Sequence, residues 1–331
     1  MTGRDVTGRA EGREAVTAPH GPGADPVVVC LPDTPLREQV GKLPADVEVL
    51  LLAREAGPPP ELGRVEMIVP ADWARRTVLD ALPGMNRLRV IQTLSAGVDW
   101  LAGRVPVGVT VCNARGVYDG PLAEWVLGAI LAMERGLIAA RDAQREAGWR
   151  PLVPGELAGR HVVILGFGSI GAAVAERLRP FGVAVSGVAR TRRDGAFGLD
   201  DLDALLPRAD VLVDLLPLTG ATAGFLDARR LRLLPDGALL VNAGRGRTVE
   251  TAALVRELER GRLRAALDVT DPEPLPADHP LWRLPNALVS PHMAGDSPES
   301  LARAYRLAGD QVRRFAAGER LRNEVPSYQL A

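Results

Sequence analysis

The stretch His161-Val-Val-Ile-Leu-Gly166-Phe-Gly168-Ser-Ile-Gly171 constrains this chain more than any other. Its first five residues are a short apolar, β-branched run, as in a strand covered on both faces of a parallel sheet. Residues 172–178 have the composition of a helix, ended by Pro180 and Gly182. Between them stand three glycines at G-x-G-x-x-G spacing. Alone that spacing says little, but between a strand and a helix each glycine has a physical reason. Gly166 permits a tight turn, Gly168 lets a pyrophosphate approach the backbone, and Gly171 lets helix and strand pack closely. Free amides at the helix start, around Ser169 and Ile170, would hold the phosphates with help from the helix dipole. The stretch predicts a dinucleotide-binding βαβ unit.

That unit sits inside a longer alternation. Strands are predicted at 27–31, 47–52, 66–69, 89–94 and 109–113 before it. Five more follow at 183–188, 211–216, 238–243, 265–269 and 287–290. Helices are predicted at 35–40, 71–82, 98–101 and from 116–128 to about 137. Further ones are expected at 199–206, 227–234, 251–260 and from Ser297 to about Ala317, the last with an N-cap serine and proline at N1. The rhythm implies parallel sheets covered on both faces. Residues 138–157, with Trp149, Pro151 and Pro154, read as a connection that leaves the domain body and could clasp a second subunit.

Composition narrows the partners. A chain of 331 residues with 47% hydrophobic content and net charge -1 argues against a nucleic acid or a membrane surface. No apolar run reaches the roughly 18 residues of a membrane span, and no signal-peptide core opens the chain, so a cytoplasmic protein is expected. Cys30 and Cys112 lie in apolar runs, which predicts buried free thiols rather than a disulfide or a metal site. Residues 1–25, rich in Gly, Arg, Glu and Thr, read as a disordered tail.

The cofactor's identity is read about 20 residues after the first glycine, where a carboxylate would bind ribose hydroxyls. Ser186 to Arg190 contain none; the window ends in Arg190, and Thr191, Arg192 and Arg193 follow. Arginines there suit a 2′-phosphate, so NADP(H) is favoured, with NAD(H) the alternative. A second strand runs into a small-residue turn at Ser95-Ala96-Gly97-Val98. Such a turn either holds a substrate carboxylate on its amides or is a plain βα connection.

Three more segments end later strands: Asn242-Ala-Gly-Arg245-Gly246, Asp268-Val-Thr-Asp-Pro-Glu273-Pro274 and Ser290-Pro-His292-Met-Ala-Gly295. Together with Ser95-Ala-Gly-Val-Asp99, Ala123-Glu124, Leu216-Pro-Leu-Thr219 and His279-Pro-Leu-Trp282, they make the chain resemble the D-isomer-specific 2-hydroxyacid dehydrogenases from about Val27 onward. The resemblance implies two Rossmann-like, doubly wound parallel-sheet α/β domains with the active site in the cleft between them. Residues 26–117 and 297–331 would form a discontinuous substrate-binding domain, and 118–296 the NAD(P)-binding domain. It further implies reduction of a small 2-keto acid, glyoxylate- or hydroxypyruvate-like, to the D-2-hydroxy acid, and the reverse, in a homodimer.

Residue by residue, Arg245 matches the substrate-binding arginine, suited as a planar bidentate donor to a carboxylate. His292 matches the general acid/base, an imidazole with an ordinary pKa of about 6.5. Glu273 matches the carboxylate that orients it. Ser95, Ala96, Gly97 and Val98 match the carboxylate turn. Pro217, Thr222, Ala243, Asp268, His292 and Ala294 fall beside the cofactor, and no metal is implied. The family's usual aromatic after Asp-Val is Thr270 here, and Ala189 replaces the ribose-binding acid. A reading from another class is an NAD(P)-sensing dimeric scaffold with little turnover; the intact Arg245, Glu273 and His292 set argues against it.

Overall fold

The computed structural model describes residues 25–55 and 58–330, so the expected tail, Asp25 apart, lies outside the described residues. The chain divides into two compact units. The first takes the residues up to Gln92, Pro106–Cys112 and Tyr305–Glu324. The second takes Thr93–Val105, Asn113–Ala304 and the stretch from Val325. The eleven expected strands are all present, most of them trimmed, while the first runs on to Pro32 and the tenth starts at Arg264, and every pairing is parallel.

In the first unit β1 (Val27–Pro32), β2 (Val47–Leu52), β3 (Met67–Ile68), β4 (Val90–Gln92) and β5 (Thr110–Cys112) form one sheet in the order β2-β1-β3-β4-β5. Val27 pairs with Val47 and Cys30 with Ile68. Strand β1 is buried along its whole length, as an apolar run covered on both faces must be. One helix here is α1 (Arg75–Ala81). The C-terminal helix Pro298–Ala316 contributes Tyr305, Ala308, Val312 and Phe315, a buried stripe at helical spacing. Cys30 and Cys112 are buried free thiols, and burial pushes both up to about 12, away from the reactive thiolate. Two expected helices are wound more tightly: Pro35–Val40 and Asp99–Leu101 are 3₁₀ turns. Each is one or two turns long, too short for an α-helical ladder to propagate.

The second unit begins with α2 (Asp119–Glu134) and α3 (Leu137–Arg145). The helix expected to about 137 ends at Glu134, Gly136 adopts φ 65, and α3 takes up the start of the stretch read as a connection. Then follow β6 (His161–Leu165), α4 (Ser169–Leu178), β7 (Ala184–Val188), α5 (Leu202–Leu205), β8 (Val211–Asp214) and α6 (Ala228–Leu233). The series closes with β9 (Leu239–Asn242), α7 (Thr251–Glu259), β10 (Arg264–Leu267) and β11 (Ala287–Val289). The sheet order is β11-β10-β9-β8-β6-β7, so chain travel reverses between β6 and β8. Ligands of open α/β sheets bind outside the strand carboxyl ends at such a reversal. Strand side chains alternate between two cores: Val163, Leu165, Leu212 and Leu240 enter one, and Val162, Ile164, Val213 and Val241 the other.

Candidate active site

Gly166 leaves β6 with φ 91, and a Cβ there would lie 2.7 Å from the backbone of Leu215, so no larger residue fits. Gly168 caps α4, and a Cβ on it would meet nothing within 4 Å. The first intrahelical bond runs from the Ala172 amide to the Gly168 carbonyl at 3.0 Å. The amides of Ser169, Ile170 and Gly171 therefore precede the helical ladder. A bare Cα beside three such amides fits a pyrophosphate. The Ser169 hydroxyl donates to Asp119 Oδ1 at 3.2 Å, and partial burial raises the Asp119 carboxyl above its ordinary range.

Beyond β7 the arginine run divides. The Arg192 guanidinium donates to Asp201 at 2.5 Å, and Arg193 to the Phe167 carbonyl. Arg190 lies over the Tyr328 ring, 4.0 Å from its centroid, and makes no ion pair among the described residues. Thr191 is exposed. At the end of β8, the Thr222 hydroxyl donates to the Pro217 carbonyl at 2.6 Å and closes the 217–222 loop. The Ala243 amide donates to the Asp214 carbonyl, which fixes the exit of β9.

The turn after β4 is lopsided in its hydrogen bonding. Its carbonyls are all engaged: Leu94 accepts from the Tyr118 hydroxyl, Ser95 from the Thr93 hydroxyl and the Ala114 amide, Ala96 from Asn113, Gly97 from the Ser95 hydroxyl, and Val98 from the Leu101 amide. No acceptor meets the amides of Ala96, Gly97 or Val98 among the described residues. Arg245 lies across this turn. Its Nε donates to Asp99 Oδ1 at 2.9 Å and its Nη1 to the Gly244 carbonyl at 2.8 Å, while a Cβ on Gly97 would fall 1.4 Å from Nη2.

His292 follows β11 with φ 52, a conformation a histidine holds only where neighbours over-determine it. Asp268, 3% exposed, supplies that support. Its Oδ1 accepts from the Ser290 hydroxyl at 2.6 Å and the Met293 amide at 2.9 Å, and its Oδ2 from the Ala294 amide at 2.8 Å. The His292 Nδ1 lies 2.6 Å from Glu273 Oε1, and the two side chains are 47% and 41% exposed. A carboxylate only accepts, so it selects the Nδ1–H tautomer and leaves Nε2 as the free basic nitrogen.

These pieces join into one ring within the second unit. Arg245 meets Asp99 and Gly97; Gly246 abuts the Thr270 carbonyl so closely that a Cβ would fall 1.9 Å from it; Glu273 holds His292; and Tyr118 packs on Gly295 while bonding the Leu94 carbonyl. Underneath, fully buried Asp214 accepts from the Leu216 amide at 3.0 Å and from the Thr248 hydroxyl at 2.6 Å. The same hydroxyl lies 2.6 Å from the Arg245 carbonyl. Burial pushes the Asp214 carboxyl up to about 6. Sequence reasoning missed Asp99, Tyr118, Asp214 and Thr248. Asp99 stood inside a quoted motif, but its partner is 146 residues away. Asp214 was hidden in an apolar strand. Two other histidines make structural contacts: His161 bonds Ser186 and the Arg208 carbonyl, and His279 accepts from the Leu281 amide. Among the described residues there is no cluster of three or more ligands suited to a metal, and no helix long and apolar enough to cross a membrane.

Comparison with known proteins shows the family of the chain. Residues 127–294 match the model of the D-isomer specific 2-hydroxyacid dehydrogenase NAD-binding domain. A glyoxylate reductase of Thermofilum pendens is 35% identical over 257 residues, covering 73% of this chain and 75% of that one. The crystal structure of an NADPH-dependent glyoxylate/hydroxypyruvate reductase of Sinorhizobium meliloti, in complex with NADP and sulfate, superposes with a TM-score of 0.80 at 28% identity, covering 92% of this chain and 99% of that one. A D-isomer specific 2-hydroxyacid dehydrogenase of Xanthobacter autotrophicus in complex with NADPH and MES gives 0.78 at 29% identity, covering 93% and 100%.

Proposed function

This chain belongs to the D-isomer specific 2-hydroxyacid dehydrogenase family, an NAD(P)-dependent enzyme family, and within it we propose that the protein reduces a small 2-keto acid with NADPH. The substrate is of the size of glyoxylate or hydroxypyruvate, the product is the D-2-hydroxy acid, and the reaction runs in both directions. One observation carries the reading: a turn whose Ala96, Gly97 and Val98 amides meet no acceptor among the described residues has its Gly97 against the Arg245 guanidinium, in the same ring of contacts as a Glu273-held His292.

The nicotinamide, when bound, exchanges a hydride with the substrate's keto carbon. The chain's own residues do the rest. The amides of Ala96, Gly97 and Val98 and the Arg245 guanidinium hold the substrate carboxylate, and Arg245 also polarises the keto oxygen. His292 Nε2 delivers a proton to that oxygen as it becomes a hydroxyl, and recovers it in reverse. Glu273 accepts from Nδ1, keeps the tautomer and stabilises the imidazolium that precedes transfer. Asp268 holds the loop on which His292 sits. On the cofactor side, the amides of Ser169, Ile170 and Gly171 take the pyrophosphate, with Pro217, Thr222, Ala243 and Ala294 lining its path. Arg190, over Tyr328, takes the 2′-phosphate; Arg192 and Arg193 are already committed to Asp201 and to the Phe167 carbonyl. The exposed apolar side chains of Trp149 and Val153, beyond α3, support a homodimer, which sedimentation of the purified chain checks.

The test is the loss of reduced-nicotinamide absorbance, with NADPH or NADH in turn against a panel of short 2-keto acids. NADPH consumption with glyoxylate or hydroxypyruvate is expected. Faster turnover with NADH would overturn the cofactor reading, and no turnover with any acid would overturn the substrate class.

A further inference from the structure

We infer that Asp99 is the positioning residue of Arg245, and that Gly97 is bare because the pinned guanidinium occupies the space of a side chain. The inference deepens the reading above and rests on it only for the kinetic half of its test. An arginine side chain has many rotamers, so a half-buried one is spread over many poses unless something selects one. Here two of its nitrogens are tied independently. Asp99 Oδ1 takes Nε at 2.9 Å, and the Gly244 carbonyl takes Nη1 at 2.8 Å. These two anchored nitrogens, with the covalent link from Nε to Cδ as the third point, fix the plane of the guanidinium. The remaining nitrogen, Nη2, then lies flat on Gly97, 1.4 Å from where a Cβ would stand, with the guanidinium carbon at 2.6 Å from the same point. No acceptor meets Nη2 among the described residues, and Gly97 carries one of the three unpaired amides.

Asp99 therefore takes the one donor, Nε, whose use blocks a side-on approach and leaves Nη2 facing the amide turn. Its own exposure is 32% against 26% for Arg245, so this charge-assisted bond is less screened than a surface ion pair. It also supplies the counter-charge that Arg245 needs before any substrate arrives. The Asp99 carboxylate comes from the 3₁₀ turn Asp99–Leu101, whose backbone continues the amide turn itself. Donor amides and positioning acid are thus built on one short segment.

The experiment uses Asp99→Ala and Asp99→Asn in the full-length protein, with two readouts. The first is the rate at which phenylglyoxal modifies Arg245, followed by peptide mass spectrometry. Labelling should be faster in Asp99→Ala than in wild type, with Asp99→Asn between them because its Oδ1 still accepts from Nε. The second is kinetic. Asp99→Ala should lower kcat/KM for glyoxylate by about 10- to 100-fold, with a partial rescue in Asp99→Asn, while KM for NADPH is unchanged. Unchanged Arg245 labelling in both variants would overturn the inference, as would a rise in the KM for NADPH matching the loss on glyoxylate. If wild type turns over no 2-keto acid, the proposed function fails and labelling alone decides the role of Asp99.

Discussion

Two turns in the second unit leave backbone amides open, the ones proposed above to hold anions, and they solve the problem of charge differently. The glycine loop feeds a ten-residue helix, α4, whose aligned peptide dipoles place partial positive charge at its start. The turn after β4 feeds only the three-residue 3₁₀ segment Asp99–Leu101, which has no such macrodipole. There the positive charge is imported as Arg245 from the end of β9, and Asp99 fixes it in place. A phosphate chain held by many amides tolerates a diffuse field. A small carboxylate next to a reacting carbon needs a point charge with a defined direction.

The largest expected effect separates both turns from the chemistry. His292→Ala removes the proposed proton donor and leaves each proposed anion site intact. Turnover should fall by about 10²- to 10⁴-fold, while NADPH binding, followed by fluorescence titration, stays at its wild-type value. Near-wild-type turnover would remove His292 from the mechanism. A parallel loss of NADPH affinity would show that the His292 loop also builds the cofactor site.

Asp214 lies under both turns: it bonds the amide of Leu216, whose neighbour Leu215 abuts Gly166, and it bonds Thr248, which touches the Arg245 carbonyl. Its carboxyl is raised from 3.8 to about 6 by burial, so the folded state binds this proton more tightly than the unfolded chain does. Stability from this group is thus greatest below pH 4 and is lost as pH rises to about 6. At about 1.4 kcal/mol per pKa unit the loss approaches about 3 kcal/mol at neutral pH. Asp214→Asn offers an uncharged carbonyl to the Leu216 amide and an amide to the Thr248 oxygen, whose hydroxyl then serves Arg245. Urea unfolding should show the variant more stable than wild type at pH 7 and equal to it near pH 4. A pH-independent difference would show that Asp214 is not the titrating group.

How much of this could be read from the chain follows the range of each interaction. The eleven strands and the glycine loop were legible because period, burial and turn chemistry are local. Gly166, Gly168 and Gly171 lie within six residues of one another, and their reasons can be stated without a fold. The helices at 35–40 and 98–101 were over-read, because a short run does not reveal whether its last turn tightens to a 3₁₀ form. Arg245 and His292 were found through motif resemblance, but the Asp99 contact was not, because nothing local to either residue announces the other. Asp214 was passed over because a strand ending in Val-Leu-Val-Asp reads as apolar, and only the assembled sheet shows its acid buried between Leu216 and Thr248.

Exchanging small for slightly larger at one glycine of each turn sharpens the contrast. In Gly97→Ala the new methyl overlaps Arg245 Nη2, so the guanidinium must leave its pose. We expect kcat/KM for the keto acid to fall by about 10- to 100-fold with cofactor affinity retained. In Gly168→Ala the methyl meets nothing within 4 Å in the protein, so folding survives, but it stands where a pyrophosphate would pass. Cofactor Kd should rise about tenfold or more, with the keto acid KM at saturating cofactor little changed. Losses of the same kind in both variants would dissolve the distinction between the two turns.

The smallest effect concerns how far the glycine-loop side extends toward the 2′-phosphate. Of the three arginines after β7, Arg192 and Arg193 already have acceptors, whereas Arg190 rests on the Tyr328 ring at 4.0 Å, a contact that orients a guanidinium without using its donors. Arg190→Ala should weaken binding of adenosine 2′,5′-bisphosphate about tenfold and leave 5′-AMP binding unchanged, read by calorimetry. Tyr328→Ala should give a fraction of the same loss, since it removes only the surface that orients the arginine. Equal weakening for both nucleotides would make Arg190 a general wall of the adenosine site. No weakening for either, with the loss appearing instead in Arg192→Ala, would show that the Asp201 pair opens to receive the phosphate.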